Sequence, residues 1–111
     1  MDVMKRKNSP ETITFAPILV DPELTDIIPD FIANTIKDYD LLRIYQQQKD
    51  IPNIRKICHR ILGTALSYGF SQLNDIVLKI QDAAINGEIE TIQVEFEILT
   101  LHVEYIKEQF N

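Results

Sequence analysis

Residues 50–69 read DIPNIRKICHRILGTALSYG, and the fold turns on them. Asp50 is a residue type whose carboxylate caps free helix N–H groups, and Pro52 falls in a first turn where no donor is needed. Gly69 is the usual left-handed terminator, so the spacing predicts a helix from Asp50 to about Tyr68. A step of about 100 degrees per residue gathers Ile54, Ile57, Cys58, Ile61, Ala65 and Tyr68 on one apolar side. Arg55, Lys56, Leu62, Gly63 and Leu66 fall within about 60 degrees of His59, on the other side. A helix with one apolar face needs another packed element to bury it.

The flanking sequence supplies further helices. Downstream, Ser71 is placed to cap a helix carrying Leu73, Ile76, Val77, Ile80 and Ala84, with Gly87 as its stop. The last helix bears Ile89, Ile92, Phe96, Leu99, Val103, Ile106 and Phe110 in alternating steps of three and four. Upstream, Asp21-Pro22-Glu23 is a helix start followed by Leu24, Ile27 and Ile28. Pro29 then predicts a break, with a longer helix from about Asp30 to Gln48 that buries Phe31, Ile32, Thr35, Tyr39, Leu42 and Tyr45. Residues 12–20 (TITFAPILV) are apolar but interrupted by Pro17, which points to an extended arm instead of a central strand. Residues 1–11 read as a mobile tail. The predicted class is all-α: an up-and-down antiparallel four-helix bundle with a short extra N-terminal helix and an extended N-terminal arm. Tail and arm take residues 1–18 and the bundle residues 19–111.

Composition agrees with a folded globular domain. The 111 residues are 45% hydrophobic and 25% charged, too apolar for a disordered chain. Eleven basic against seventeen acidic residues give a net charge of −6, which argues against nucleic acid or an anionic membrane as partner. No apolar run has the length of a span or a signal peptide, and the one cysteine, Cys58, forms no internal disulfide. A cytoplasmic protein is the expectation from these features, with a monomer as the default.

Two features of the His59 face do not serve helix stability. Glycine inside a helix costs roughly 1 kcal/mol against alanine, and Gly63 stands one turn after His59, where it would clear space beside the imidazole. Leu62 and Leu66 would expose apolar surface there, a docking patch with Ala65 at its edge. A neutral imidazole facing solvent is a competent nucleophile. The plainer alternative is a surface histidine beside a solvated pair, Arg55 and Lys56, with Gly63 allowing close helix packing.

The stretch HRILGTALSYGFSQL, residues 59–73, resembles the signature of histidine phosphotransfer (HPt) domains, H-x-L-K-G-x-x-x-x-x-G-x-x-x-L. His59 matches the phospho-accepting histidine, Ile61 the apolar position, Gly63 and Gly69 the two glycines, and Leu73 the last leucine. The likeness extends upstream through residues 21–50 and downstream through residues 73–92. It departs at Leu62, where the family carries lysine. The resemblance implies a phosphoryl carrier, not an enzyme with ATP-dependent kinase activity. His59 would accept the group from the aspartate of a response-regulator receiver domain, or within a hybrid histidine kinase, and pass it to another receiver. Arg55, Lys56 and Arg60 would support the phosphate, and Leu62, Gly63, Ala65 and Leu66 would dock the receiver. The chain itself would bind no cofactor, and Mg²⁺ would sit on the partner. The competing readings are a non-transferring adaptor that binds receivers or kinases, and a purely structural bundle.

Of the remaining residues, His102 lies between Leu99 and Val103 and reads as a surface or boundary histidine. Cys58 reads as half-buried core. No Cys/His spacing fits a structural metal. Glu88, Glu90, Glu95 and Glu97 suit the positive end of the last helix.

Overall fold

Helix starts along this chain are set by aspartate and proline. In the computed structural model, which describes residues 13–110, Asp21 accepts the Glu23 N–H at 2.9 Å and opens a 3-10 turn, Pro22–Leu24. The tail expected over residues 1–11 lies outside the described residues. Helix α1 is Ile28–Gln47, with Pro29 in its first turn. The expected break at Pro29 is therefore a helix start: a proline in the first turn forfeits a bond that has no intrahelical acceptor. The leading helix shrinks to the three-residue turn.

Helix α2 is Ile51–Ile61, capped as expected by Asp50, which accepts from the Asn53 N–H at 3.3 Å and from its side-chain amide at 2.7 Å. The helix does not run on to Tyr68. Leu62 is extended and Gly63 has φ 86°, after which α3, Thr64–Ser67, is a single turn. Helix α4 is Ser71–Ile85 and α5 is Ile89–Gln109. Ser71 is the first helical residue and not the cap; the capping position belongs to Phe70, with no side-chain hydrogen bond. No strand occurs among the described residues.

The four longer helices bury their apolar stripes against one another. Helix α4 packs on α5 and α2, and α1 packs on α2 and α5. Leu42, Ile54, Cys58, Phe70, Leu73, Val77, Ile80, Leu99 and Val103 fill the shared core. At roughly 1.5 to 3 kcal/mol for each large apolar side chain, this burial is the main favourable contribution to folding.

Residues 13–20 have no regular structure and lie on the helices through two glutamines. Gln72 of α4 accepts the Ala16 N–H at 2.9 Å and donates to the Ala16 carbonyl at 2.7 Å. Gln109 of α5 does the same for Ile18, at 3.0 and 2.8 Å. Ile18 is buried. Gly69, at φ 92°, backs onto this segment so closely that an added Cβ would stand 2.8 Å from the Leu19 carbonyl oxygen. Gly69→Ala is expected to lower stability by about 2 kcal/mol or more, from left-handed strain plus a backbone clash. A urea midpoint equal to that of the parent chain would contradict this packing.

His102 is not a surface residue. It is fully buried, because Phe15 of the N-terminal segment lies edge-on over its ring at 4.5 Å. Burial lowers its pKa to about 4. Cys58 is likewise fully buried, and burial pushes its thiol up to about 12. That thiol stays protonated and enclosed, which removes it as a nucleophile.

Candidate functional site

Helix α2 turns Ile54, Ile57, Cys58 and Ile61 inward, each at most 3% exposed. The opposite face is thereby committed to solvent, and His59 is exposed on it. Arg55 and Lys56, both exposed, sit one turn earlier on the same face. With Pro52 and Arg60 they line a shallow surface depression around the imidazole. Its far wall is Gln81 of α4, which composition and motif reading passed over. The signal was present: Asn74 and Gln81 are two turns apart on α4, a polar border beside the apolar stripe of Leu73, Val77, Ile80 and Ala84.

Arg60 belongs to this depression only in part. Its guanidinium donates to Asp38 of α1, in an ion pair whose carboxylate is 16% exposed. That contact ties α2 to α1 and leaves Arg55 and Lys56 as the cations lining this depression that make no salt bridge among the described residues.

The docking residues expected after His59 are dispersed by the end of α2. Leu62 is half-buried and packs on the core. Ala65 is fully buried and out of a partner's reach, which corrects its place at the edge of the patch. Leu66 stays 57% exposed, and Gly63 is exposed. The patch is therefore Leu66 with the Gly63 backbone, narrower than a continuous helix would give.

The reason for Gly63 also changes. A Cβ built there meets nothing within 4 Å, the imidazole included. Crowding does not select glycine; a φ of 86° with ψ of −57° does. Its N–H is held by the Asn74 side-chain oxygen at 3.1 Å, so α4 fixes the point where α2 ends. Gly63→Ala is expected to lower stability by roughly 1 to 2 kcal/mol, read as a shifted denaturant midpoint with unchanged slope. A neutral or stabilising effect would mean that the backbone readily returns to helix there.

His59 consequently stands in the last turn of α2 and not at mid-helix. Free carbonyls at a helix end carry partial negative charge, which opposes an anion. An anion bound beside His59 would therefore depend on the two cations a turn below. Among the described residues no three metal-binding side chains stand together, and no helix is long and apolar enough to cross a membrane. No protein-family model matches the chain, and no curated protein or solved structure matches it either.

Proposed function

We propose that this chain is a histidine phosphotransfer module that carries a phosphoryl group on His59 between receiver domains. In this reading the four long helices form an up-and-down antiparallel bundle, and residues 13–18 are the end of an extended arm laid along it. The observation that carries the proposal is the exposed imidazole on the solvent face of α2, with Arg55 and Lys56 a turn before it and Gln81 lining the same depression. The motif spacing from His59 to Leu73 supports it independently.

The chemistry asks little of the carrier. A lone pair of the neutral imidazole attacks the phosphorus of the receiver's aspartyl phosphate. A nitrogen–phosphorus bond forms, the phosphorus–oxygen bond to the carboxylate breaks, and the carboxylate leaves with the electron pair. The receiver supplies Mg²⁺ and the main stabilisation of the transferring group. Arg55 and Lys56 complement the acidic pocket of the receiver and speed encounter. Gln81, which lines the same depression, would donate to a phosphoryl oxygen once it is attached.

The test is incubation of the full chain with phosphorylated receiver domains and Mg²⁺. Acid-labile, base-stable phosphate mapped to His59 by mass spectrometry is the expected result. The adaptor reading gains from three observations: Leu62 in place of lysine, Arg60 held by Asp38, and a helix end close to His59. It predicts receiver binding without any phosphate uptake, so the same incubation followed by a binding measurement separates the two.

A further inference from the structure

We infer that residues 13–20 are a detachable strap, docked over His102 while its ring is neutral and released when the ring takes up a proton. The geometry is that of a bound peptide. Gln72 and Gln109 each grip one residue's N–H and C=O together, at Ala16 and at Ile18. Such paired bonds read backbone and not side chains, so the side chains between them set the fit. Phe15 provides that fit, with its ring 4.5 Å from His102 and 5.5 Å from Tyr105.

The floor under Phe15 is the anomaly. His102 is fully buried, yet neither ring nitrogen has a hydrogen-bond partner among the described residues. One of those nitrogens carries a hydrogen in every protonation state, so the docked strap covers an unsatisfied donor. A charged ring would bring two donors and a full charge into the same dry place.

No neighbouring charge among the described residues offsets this. Residues 13–20 contain no titratable side chain. The charged residues of α4, Asp75, Lys79 and Asp82, are exposed and lie away from its buried face. Helix α1 meets the other flank of α5, where Tyr39 stacks on Phe96 and bonds Thr100. On α5 itself the near titratable group is Tyr105, and Glu95 stands two turns below, about 10 Å along the axis. Burial is accordingly the cause of the lowered His102 pKa.

The sign follows. The docked form holds the ring neutral down to about pH 4, whereas an uncovered ring titrates near its ordinary value of about 6.5. The released form therefore binds more protons between those limits, and the docked form loses ground as pH falls. If uncovering restores the ordinary value in full, the released-to-docked ratio rises roughly 25-fold between pH 7.5 and pH 5.

Amide hydrogen exchange on the full chain reads this directly, because the Ala16 and Ile18 amides are the ones that Gln72 and Gln109 hold. After correction for intrinsic rates, both should lose protection by roughly 25-fold from pH 7.5 to pH 5, while Leu99 and Val103 in the core lose far less. His102→Phe, which keeps a ring under Phe15 and cannot titrate, should make that loss vanish. Should His102→Phe fail to fold, Phe15→Ala serves: it should move the His102 titration midpoint, followed by its ring proton shifts, up toward the ordinary value. Protection at Ala16 and Ile18 that does not change with pH overturns the inference. So does a loss shared equally with Leu99 and Val103, a loss that persists in His102→Phe, or a His102 midpoint that Phe15→Ala leaves in place.

Discussion

A His59→Gln chain is expected to stay folded and to take up no phosphate from a receiver. His59 is exposed and no protein hydrogen bond holds its side chain among the described residues, so replacing it should change stability by no more than about 0.5 kcal/mol. Glutamine fills a similar volume but offers no nitrogen lone pair able to attack phosphorus. Loss should therefore be complete at the chemical step and absent from the thermal unfolding curve. Arg55→Ala and Lys56→Ala are expected to behave differently. Each removes a cation at the rim of the contact, so each should slow transfer several-fold, with a steeper cost at low salt, and leave final occupancy intact. Transfer that continues at the parent rate in His59→Gln would place the phosphate elsewhere and remove the proposed site. Absence of uptake in both parent and variant, with receiver binding retained, would favour the adaptor.

The face that carries this prediction was readable from sequence because it needed only one helix. Ile54, Ile57, Cys58 and Ile61 define the buried side of α2, and His59 is on the outer side by construction. What lay beyond one helix was not readable in the same way. The end of α2 at Ile61 is silent in the hydrophobic pattern, because Ile61 and Ala65 are both buried whether the backbone continues or turns. Its local sign was Gly63, and its cause is Asn74, eleven residues away on α4. His102 was misjudged for a related reason. A wheel drawn for α5 alone puts it about 60 degrees from Leu99, at the margin of the apolar stripe. Only the segment carrying Phe15 converts that margin into interior. Gln72, Gln81 and Gln109 escaped notice because glutamine has no preferred role that spacing reveals. Their parts are given by what the fold brings opposite them.

The same limit hid the residue whose loss should destabilise the protein most. Phe70 sits between Gly69 and the first turn of α4 and belongs to no periodic stripe, yet it is fully buried. Its ring lies 4.8 Å from Phe31 of α1 and 5.6 Å from Phe110 just beyond α5, and Phe31 in turn meets Tyr68 at 5.1 Å. Its N–H bonds to the Ala65 carbonyl at 2.8 Å, so the turn after α3 delivers the ring to a point where three helices converge. Phe70→Ala deletes that ring, and the neighbours belong to different helices that cannot all close on the gap. The expected cost is about 4 kcal/mol, from lost burial plus residual cavity. Against the roughly 5 to 15 kcal/mol that holds domains of this size together, that is a large share. Thermal unfolding should move down by on the order of 15 to 30 °C, measured by circular dichroism, while the urea slope stays near that of the parent. Phe110→Ala should cost less, since that ring is only half-buried. A drop below about 1 kcal/mol in Phe70→Ala would mean that this aromatic cluster does not tie α1 to the end of α5, because a single ring shared by three packed elements cannot be removed cheaply.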